Sequence, residues 1–485
     1  MQKVVAGIGY TLYGVLPTRE IEVAAQILLP PNTLMQRAGL AVARLALALA
    51  PHAQRLWIAC GPGNNGGDGL EAAVQLLHLG KSSTVTWLGN TESMPPDTAA
   101  AYLRAIAAGV HFATEPDSDF DLCVDALLGI GTQSREPQGR MADWIGRMNG
   151  ASTPVLSVDI PSGLHADTGV AMQLHVKATH TLSLLTLKPG LFTAQGRDAT
   201  GTVWLDSLGI HQNAAICPPV SARLLGRPHQ ATRAHSSHKG SFGDVAVVGG
   251  APGMTGAALL AASAALHAGA GRVFVALLGI SPLQVDASRP ELMFRAASDI
   301  DFSQLTVVCG CGGGDAIVAV LPRVIQTASA VVIDADALNA IAADDGLQTA
   351  LTRRCQSSLG TVLTPHPLEA ARLLACSVAE VQRDRIAAAL ALVAKFGCTV
   401  VLKGSGTLIA SPGQIPMINP TGNARLATAG TGDVLAGMVG ASLAAGVSPF
   451  EAACHAVYWH GELADQWPTN RPLTAGLLAS CPVAL

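Results

Sequence analysis

The stretch Ala427-Thr428-Ala429-Gly430-Thr431-Gly432-Asp433-Val434-Leu435-Ala436-Gly437 decides how the second half of the chain reads. Small residues and threonines permit a tight backbone turn, and Asp433 then opens an apolar, small-residue helix. A glycine turn leaves backbone N–H groups uncovered. The start of a helix adds partial positive charge, so the place suits an anion such as a phosphate. A carboxylate in the first turn can take a proton from a hydroxyl while the N–H groups hold phosphoryl oxygens. The alternative is an aspartate that only caps its helix, and the stretch by itself leaves both open.

Upstream, the second half repeats one pattern. Val245–Val248 reads as a strand running into the glycine turn 249–257, followed by a helix to His267, closed by Gly269 and Gly271, and the strand Arg272–Leu277. Strand, glycine turn, helix and strand form a nucleotide-type βαβ unit. Leu305–Val308 leads to Gly310-Cys311-Gly312-Gly313-Gly314, and Ala330–Ile333 leads to Asp334-Ala335-Asp336. Thr361–Leu363 leads to Thr364-Pro365-His366-Pro367-Leu368-Glu369, and Val400–Leu402 leads to Lys403-Gly404-Ser405-Gly406-Thr407. Lys403 between bare N–H groups suits a nucleotide phosphate or ribose. His366 reads either as a holder of a substrate hydroxyl or phosphate or as a structural residue. Asp334 and Asp336 read as helix caps, with water-mediated magnesium contact as the alternative.

The first half has its own chemical signal. Pro17 starts a helix to Leu28, and Asn32 caps a second one, Leu34–Leu49. The strand Arg55–Cys60 then enters the loop 61–69, Gly-Pro-Gly-Asn-Asn-Gly-Gly-Asp-Gly, before a helix Leu70–Leu79 and a strand Ser83–Leu88. The spacing is neither that of a dinucleotide fingerprint nor that of a P-loop. Such glycine density calls for a ligand, and Asn64 and Asn65 offer side-chain carbonyls to an amide, a hydroxyl or a hard monovalent cation. After a helix Asp97–Ala108, the strand Phe120–Ala126 delivers Asp125. A helix near Met141–Met148 follows, and the strand Pro154–Val158 delivers Asp159 and then Ser162. In a parallel sheet those strand ends share the ligand edge.

At 485 residues the chain is too long for one core, so two domains of about 200–250 residues are expected. The 49% apolar and 13% charged composition fits Ala/Gly-rich α/β domains, and a net charge of −4 argues against nucleic acid. The 10 cysteines form no CxxC pair, which suits reduced thiols in the cytoplasm and no cysteine metal site. Met1–Tyr13 has no signal-peptide core, and the apolar runs Met254–Ala270 and Val434–Val447 suit buried helices better than membrane spans. Cys217–His238, with Pro218-Pro219 and little periodicity, reads as a linker; its His235, His238 and Lys239 read as a solvated cluster.

Gly63–Gly69 (GNNGGDG), Val124–Thr132 (VDALLGIGT), Val158–Gly163 (VDIPSG), Leu187–Gly190 (LKPG) and Gly201–Ile210 resemble the N-terminal domain of the YjeF family, the NAD(P)H-hydrate epimerases. Gly249–Ala257 (GGAPGMTGA), Val332–Asn339 (VIDADALN), Leu363–Leu374 (LTPHPLEAARLL), Val401–Thr407 (VLKGSGT) and Asn419–Gly437 resemble the family's C-terminal domain, the ADP- or ATP-dependent NAD(P)H-hydrate dehydratases. The resemblance implies two α/β domains: a Rossmann-like three-layer sandwich over 1–216 and a ribokinase-like domain over 239–485, joined by a linker over 217–238. Asn64, Asn65, Gly66, Gly67 and Asp68, with Gly129, Ile130, Gly131, Thr132, Gln133, Ser134 and Arg135, would then border the dinucleotide. Asn65, Asp125 and Ser162 would hold a potassium ion, and Asp159 would contact substrate as the acid/base. In the second domain Lys403, Gly404, Ser405, Gly406, Thr407 and Gly432 would hold the adenine nucleotide. Ala257, Gly314, His366 and Asp433 would meet the hydrated nicotinamide. Three positions depart from the family: LGIGT stands for FGTGL, Gly-Cys-Gly-Gly-Gly for Gly-Pro-Gly-Leu-Gly, and Leu368 for a glycine.

The reading is a bifunctional nicotinamide-nucleotide repair enzyme. The first domain epimerises R- and S-NADH-hydrate and NADPH-hydrate; the second dehydrates the S form at the expense of ADP, with Mg2+ and with Asp433 as base. A cytoplasmic homo-oligomer is expected, with Ala-rich helices such as Val42–Ala50 between subunits, and no nucleic-acid or membrane partner. The alternative is a ribokinase-type vitamin or sugar kinase whose first domain is a binding or scaffold module.

Overall fold

Alternation along the buried strand Leu56–Cys60 sets the layers of the first half. Leu56, Ile58 and Cys60 face one hydrophobic core, and Trp57 and Ala59 face another. The helices Thr33–Leu49 and Asn64–His78 fill the first core, while Trp144, Ile145 and Met148 of Arg140–Gly150 fill the second. A sheet covered on both faces is the place for a parallel arrangement. Seven strands here pair in parallel, in the order Thr202–Asp206, His180–Leu184, Val155–Val158, Leu122–Ala126, Leu56–Cys60, Ser83–Trp87, His111–Ala113. Gln2–Lys3 adds an antiparallel edge.

The computed structural model describes residues 1–131, 136–210, 218–229, 234–279 and 283–483. They divide into two units, Met1–Arg223 and Leu224–Leu485. The division falls inside the stretch expected to be a linker, where Ala222–Leu224 is in fact a strand. In the second unit the parallel strands run in the order Met293–Phe294, Arg272–Leu277, Asp244–Gly249, Thr306–Cys309, Ala330–Ile333, Gly360–Leu363, Thr399–Leu402; Leu408–Ala410 and Met417–Ile418 extend the sheet antiparallel. The helices Thr255–His267, Thr431–Ala444 and Pro449–Asp465 pack on Val245, Val247, Val308, Val332, Val362 and Val401. Two of these helices are alanine- and glycine-rich because they touch backbone to backbone: a Cβ at Gly437 would stand 2.1 Å from the carbonyl oxygen of Ala261.

Four expectations need correction. The first helix begins at Val15, before Pro17, which a first helical turn tolerates. Asn32 sits at the cap position with φ 64°, yet its side chain makes no capping bond. The glycine segment of the first half is no long loop, for the helix starts at Asn64. Its glycines are largely explained by the chain itself. A Cβ at Gly61 would meet the Leu127 oxygen at 1.8 Å, one at Gly66 the Gly61 oxygen at 1.9 Å, and one at Gly69 the Ala126 Cβ at 2.6 Å. Finally, Val42, Ala43, Leu45 and Ala46 lie in the core of their own unit, so these four side chains are not the ones this helix could offer a second subunit.

Candidate functional site

In the first unit, three neighbouring strands end at the same edge and bring the expected residues together. Asp125, at the end of its strand, is fully buried. Its carboxylate accepts hydrogen bonds from Ser162 Oγ (2.6 Å), Ser157 Oγ (2.8 Å), the Ser162 N–H (2.9 Å) and the Leu127 N–H (3.3 Å). Burial raises its pKa and these bonds lower it, with burial prevailing. Ser162 Oγ also accepts from the Leu128 N–H at 2.8 Å. Asn65 lies against the next turn, where a Cβ on Gly129 would stand 3.1 Å from Asn65 Cβ. Among the described residues its buried amide nitrogen has no hydrogen-bond partner. Amide oxygen and nitrogen are interchangeable by a flip, so this position can present an oxygen as readily as a nitrogen. The donor set of Asn65, Asp125 and Ser162 fits a hard monovalent cation.

Asp159 follows on the neighbouring strand with φ 67°, a conformation that costs a non-glycine residue energy and is held by its surroundings. Its Oδ1 accepts from the Leu184 N–H at 3.1 Å and pairs with Lys188 Nζ. Lys188 is fully buried and also donates to the carbonyls of Leu184 (2.8 Å) and Thr186 (3.1 Å). Two more carboxyls share this place. Burial first, then the charge of Asp159, raises the pKa of both Asp68 and Glu22. Asn64 turns aside and accepts from Thr98 Oγ1 at 3.1 Å, lining a cavity of about 300 Å³ with Asn32 and Asp97. Gly129, Ile130 and Gly131 follow the Asp125 strand; Thr132, Gln133, Ser134 and Arg135 lie outside the described residues. Glu22 and Lys188 were missed as site residues. The LKPG motif around Lys188 was the available signal, whereas nothing near Glu22 marks it.

In the second unit, parallel register sets Gly310, Asp334, Thr364 and Lys403 along one sheet edge. Lys403 Nζ lies 2.7 Å from Asp334 Oδ1 and 3.9 Å from Glu369 Oε2, with 3.3 Å separating it from where a Cβ on Gly432 would stand. Asp334 and Asp336 therefore do not cap their helix: the first pairs with Lys403, and Asp336 Oδ2 accepts from the Gly314 N–H at 2.8 Å. Although burial disfavours its charge, Lys403 has a raised pKa because Asp334 and Glu369 stand beside it. Glu369 is pushed up to about 7 by burial, against the pull of Lys403. His366 does cap its helix, Nδ1 accepting from the Leu368 and Glu369 N–H groups at 3.1 and 3.3 Å. Its Nε2 stands 3.3 Å from Glu369 Oε1, and the side chain remains 46% exposed.

Asp433 makes no capping bond; Gly430, φ 90°, occupies the cap position of the helix Thr431–Ala444. The first-turn N–H groups of a helix have no partner within it. Burial first and the Asp334 charge second push Asp433 up to about 6, while a hydrogen bond from the Cys311 thiol opposes them. The ligating atoms of Cys311, Asp334 and Asp433 lie within 4.8 Å of one another. A thiol is a poor partner for magnesium, so the fit for Mg2+ rests on the carboxylate oxygens alone. Ala257 lies beside Gly312, where an added Cβ would stand 2.9 Å from Ala257 Cβ, and Gly314 (φ 50°) follows. Two supports went unread in the sequence. Buried Arg385 donates to the carbonyls of Leu402 and Lys403 at 3.2 Å and would lie 2.9 Å from a Cβ on Gly404. Buried His460 Nε2 bonds the Thr431 carbonyl at 2.9 Å.

Two parallel sheets, each with acids and bare helix starts at its ligand edge, define a two-site α/β enzyme that handles nucleotides. Comparison with known proteins narrows this. Residues 31–190 match the family described as YjeF-related protein N-terminus, and residues 245–481 match NAD(P)H-hydrate dehydratase. The bifunctional NAD(P)H-hydrate repair enzyme Nnr of Escherichia coli K12 is 36% identical over 468 residues, spanning 92% of this chain and 87% of its own. An ADP-dependent (S)-NAD(P)H-hydrate dehydratase of Neisseria meningitidis serogroup B is 48% identical over 254 residues, 51% of this chain and 84% of its own. A Bacillus subtilis ADP/ATP-dependent NAD(P)H-hydrate dehydratase crystallised with ATP and Mg2+ is 30% identical, with a TM-score of 0.43 over 51% of this chain and 90% of its own. The chain belongs to the family of bifunctional NAD(P)H-hydrate repair enzymes.

Proposed function

We propose that residues 1–216 epimerise hydrated NADH and NADPH, that residues 239–485 dehydrate the S epimer with ADP, and that 217–238 link them. The observation that carries the second activity is the Gly430–Asp433 helix start, with Lys403 beside Gly432 and an uncapped carboxylate at Asp433. Asp433 takes the proton of the C6 hydroxyl as its oxygen attacks the terminal phosphorus of ADP and AMP leaves. The N–H groups of Gly430–Gly432 and the Lys403 ammonium hold the transferring phosphoryl oxygens, and Lys403–Thr407 hold the nucleotide. Phosphate then departs from C6 with its bonding electrons, and loss of a C5 proton restores the reduced nicotinamide. His366, Gly314 and Ala257 place the hydrated ring. Mg2+ bound with the nucleotide would supply charge neutralisation, and Asp334 and Asp336 would hold it through water.

In the first unit Asp159 moves the proton at the reacting ring and Lys188 is its positioning residue. Asn64–Asp68 and Gly129–Arg135 border the dinucleotide. Asn65, Asp125 and Ser162 hold K+, a reading supported by the Asn65 amide, unpartnered among the described residues, and by the burial of the Asp125 carboxylate. The cytoplasm is the proposed compartment, in keeping with cysteines that are unpaired among the described residues. Among the described residues no helix is long and apolar enough to cross a membrane. Self-association is proposed through the helix Val15–Leu28, where Leu16, Val23, Ile27 and Leu28 are exposed.

The test is the near-ultraviolet absorbance of reduced nicotinamide, with mixed-epimer NADH-hydrate, Mg2+ and ADP. Full, nucleotide-dependent recovery from both epimers supports both activities. Recovery of the S portion alone removes the epimerase, and no recovery removes the dehydratase.

A further inference from the structure

Away from the nucleotide edge, where Gly360–Leu363 and Thr399–Leu402 begin, two cysteines meet. Cys355 lies in the last turn of the helix Asp345–Gln356, and Cys398 directly precedes the strand Thr399–Leu402. The two thiols shift each other's titration, Cys355 downward and Cys398 upward. A Cβ on Gly397 would stand 3.8 Å from Cys355 Cβ, so the chain entering the strand lies against this side chain. Both cysteines line one cavity of about 310 Å³, together with Thr361 and Ser411. Cys355 is partly exposed and Cys398 is buried, the division of an accessible attacking thiol and a protected resolving one.

A buried cation stands beside them. Arg354 is 4% exposed and spends its donors on Thr361 Oγ1 and on the carbonyls of Ile325, Ala328 and Gly360. Every one of these acceptors is neutral, so the guanidinium charge favours a thiolate at its neighbour. The neighbouring Cys398 thiol foremost, then the Thr361 hydroxyl and last the Arg354 charge, hold the Cys355 thiol below its usual range despite burial. Cys376 and Cys481, which are also partly exposed, are shifted upward.

We propose that Cys355 and Cys398 are an oxidisable dithiol whose oxidant is a small hydroperoxide admitted by the cavity. The Cys355 sulfur attacks a peroxide oxygen, the O–O bond breaks, and water or an alcohol leaves, so that sulfur is oxidised to a sulfenic acid and the peroxide reduced. The Cys398 sulfur then attacks that sulfur; the S–S bond forms, the S–O bond breaks, and water leaves with the Cys398 proton. This chemistry stands apart from the repair sites and from any reading of them.

The test is hydrogen peroxide treatment of the full-length protein followed by peptide mass spectrometry. The expected product joins the Cys355 and Cys398 peptides with the loss of two hydrogens and is reversed by dithiothreitol. Thiol loss at Cys355 should run about tenfold faster than at Cys376 or Cys481. In Cys398→Ser the bridge should vanish and dimedone should trap a sulfenic acid on Cys355. Wild-type protein that forms no Cys355–Cys398 bridge, or loses Cys355 no faster than the other two, overturns the proposal without recourse to any variant.

Discussion

Lys403 Nζ lies 2.7 Å from Asp334 Oδ1 although the strand Gly360–Leu363 separates the two strands that carry them. The lysine side chain crosses the end of the middle strand, and the pair ties two loops of the nucleotide edge into one charged cluster with Glu369. Asp334 thereby offsets the burial of Lys403 and at the same time makes Asp433 harder to ionise. The predictions for the second unit start from this cluster.

Asp433→Asn should lower the ADP-dependent dehydration rate by roughly 10²–10⁴-fold, the range for loss of a general base. Epimerisation, followed by the exchange of R and S forms, should be unchanged. Because Asp433 is pushed up to about 6, the wild-type rate should fall as the pH drops through that value. A variant that keeps near-normal dehydration removes Asp433 from the mechanism.

Glu369 should make the second unit less stable as pH rises. Its folded pKa, about 7, exceeds the ordinary glutamate value of 4.5, so the folded state binds more protons between those values. The contribution is complete below about 4.5 and is lost through about 7, on the order of 3 kcal/mol. Urea unfolding at the two ends of this window, compared with Glu369→Gln, checks it: the variant should show a flatter dependence.

Asp159→Asn should abolish epimerisation and leave dehydration of the S epimer intact. The asparagine keeps an acceptor for the Leu184 N–H but loses the charge that pairs with Lys188. Retained epimerisation would move the acid/base role to Asp68 or Glu22, whose carboxyls share the site.

Replacing potassium by lithium should slow epimerisation alone, since the smaller ion fits the Asn65, Asp125 and Ser162 oxygens poorly. Asn65→Ala should reduce the dependence on the ion. A rate indifferent to the cation would leave the unpartnered Asn65 amide as a structural feature.

Gly437→Ala should destabilise the second unit by about 1–3 kcal/mol, the cost of forcing an extra carbon into a packed contact. The new methyl would meet the Ala261 carbonyl oxygen at 2.1 Å, between two helices that have no room to part. Thermal unfolding of the variant measures the loss.

Element order was legible because strand runs such as Ala330–Ile333 and Arg272–Leu277 are short, apolar and closed by glycine or an acid, and both match their strands residue for residue. The motifs at the ends of those runs were legible for the same reason. The boundary at Gly61–Gly69 was less legible: it reads as a loop before a helix at Leu70, whereas the helix starts at Asn64, because glycine serves a helix's close approach as well as a ligand's. Asp334 misled similarly: its position before a helix suggests a cap, but a lysine from a strand two places away claims the carboxylate.

The sequence by itself determined the two α/β units, the strands that end in Asp125, Asp159, Asp334 and Lys403, and the glycine turn before Asp433, because hydrophobic period and turn chemistry are local. Only the tertiary structure decided which of these groups meet. It placed Lys188 on Asp159, Arg385 under Gly404, His460 beneath Thr431 and Cys355 against Cys398. Those pairings arise from sheet register and helix packing between residues far apart in the chain, and burial, which sets their charges, exists only once the chain has folded.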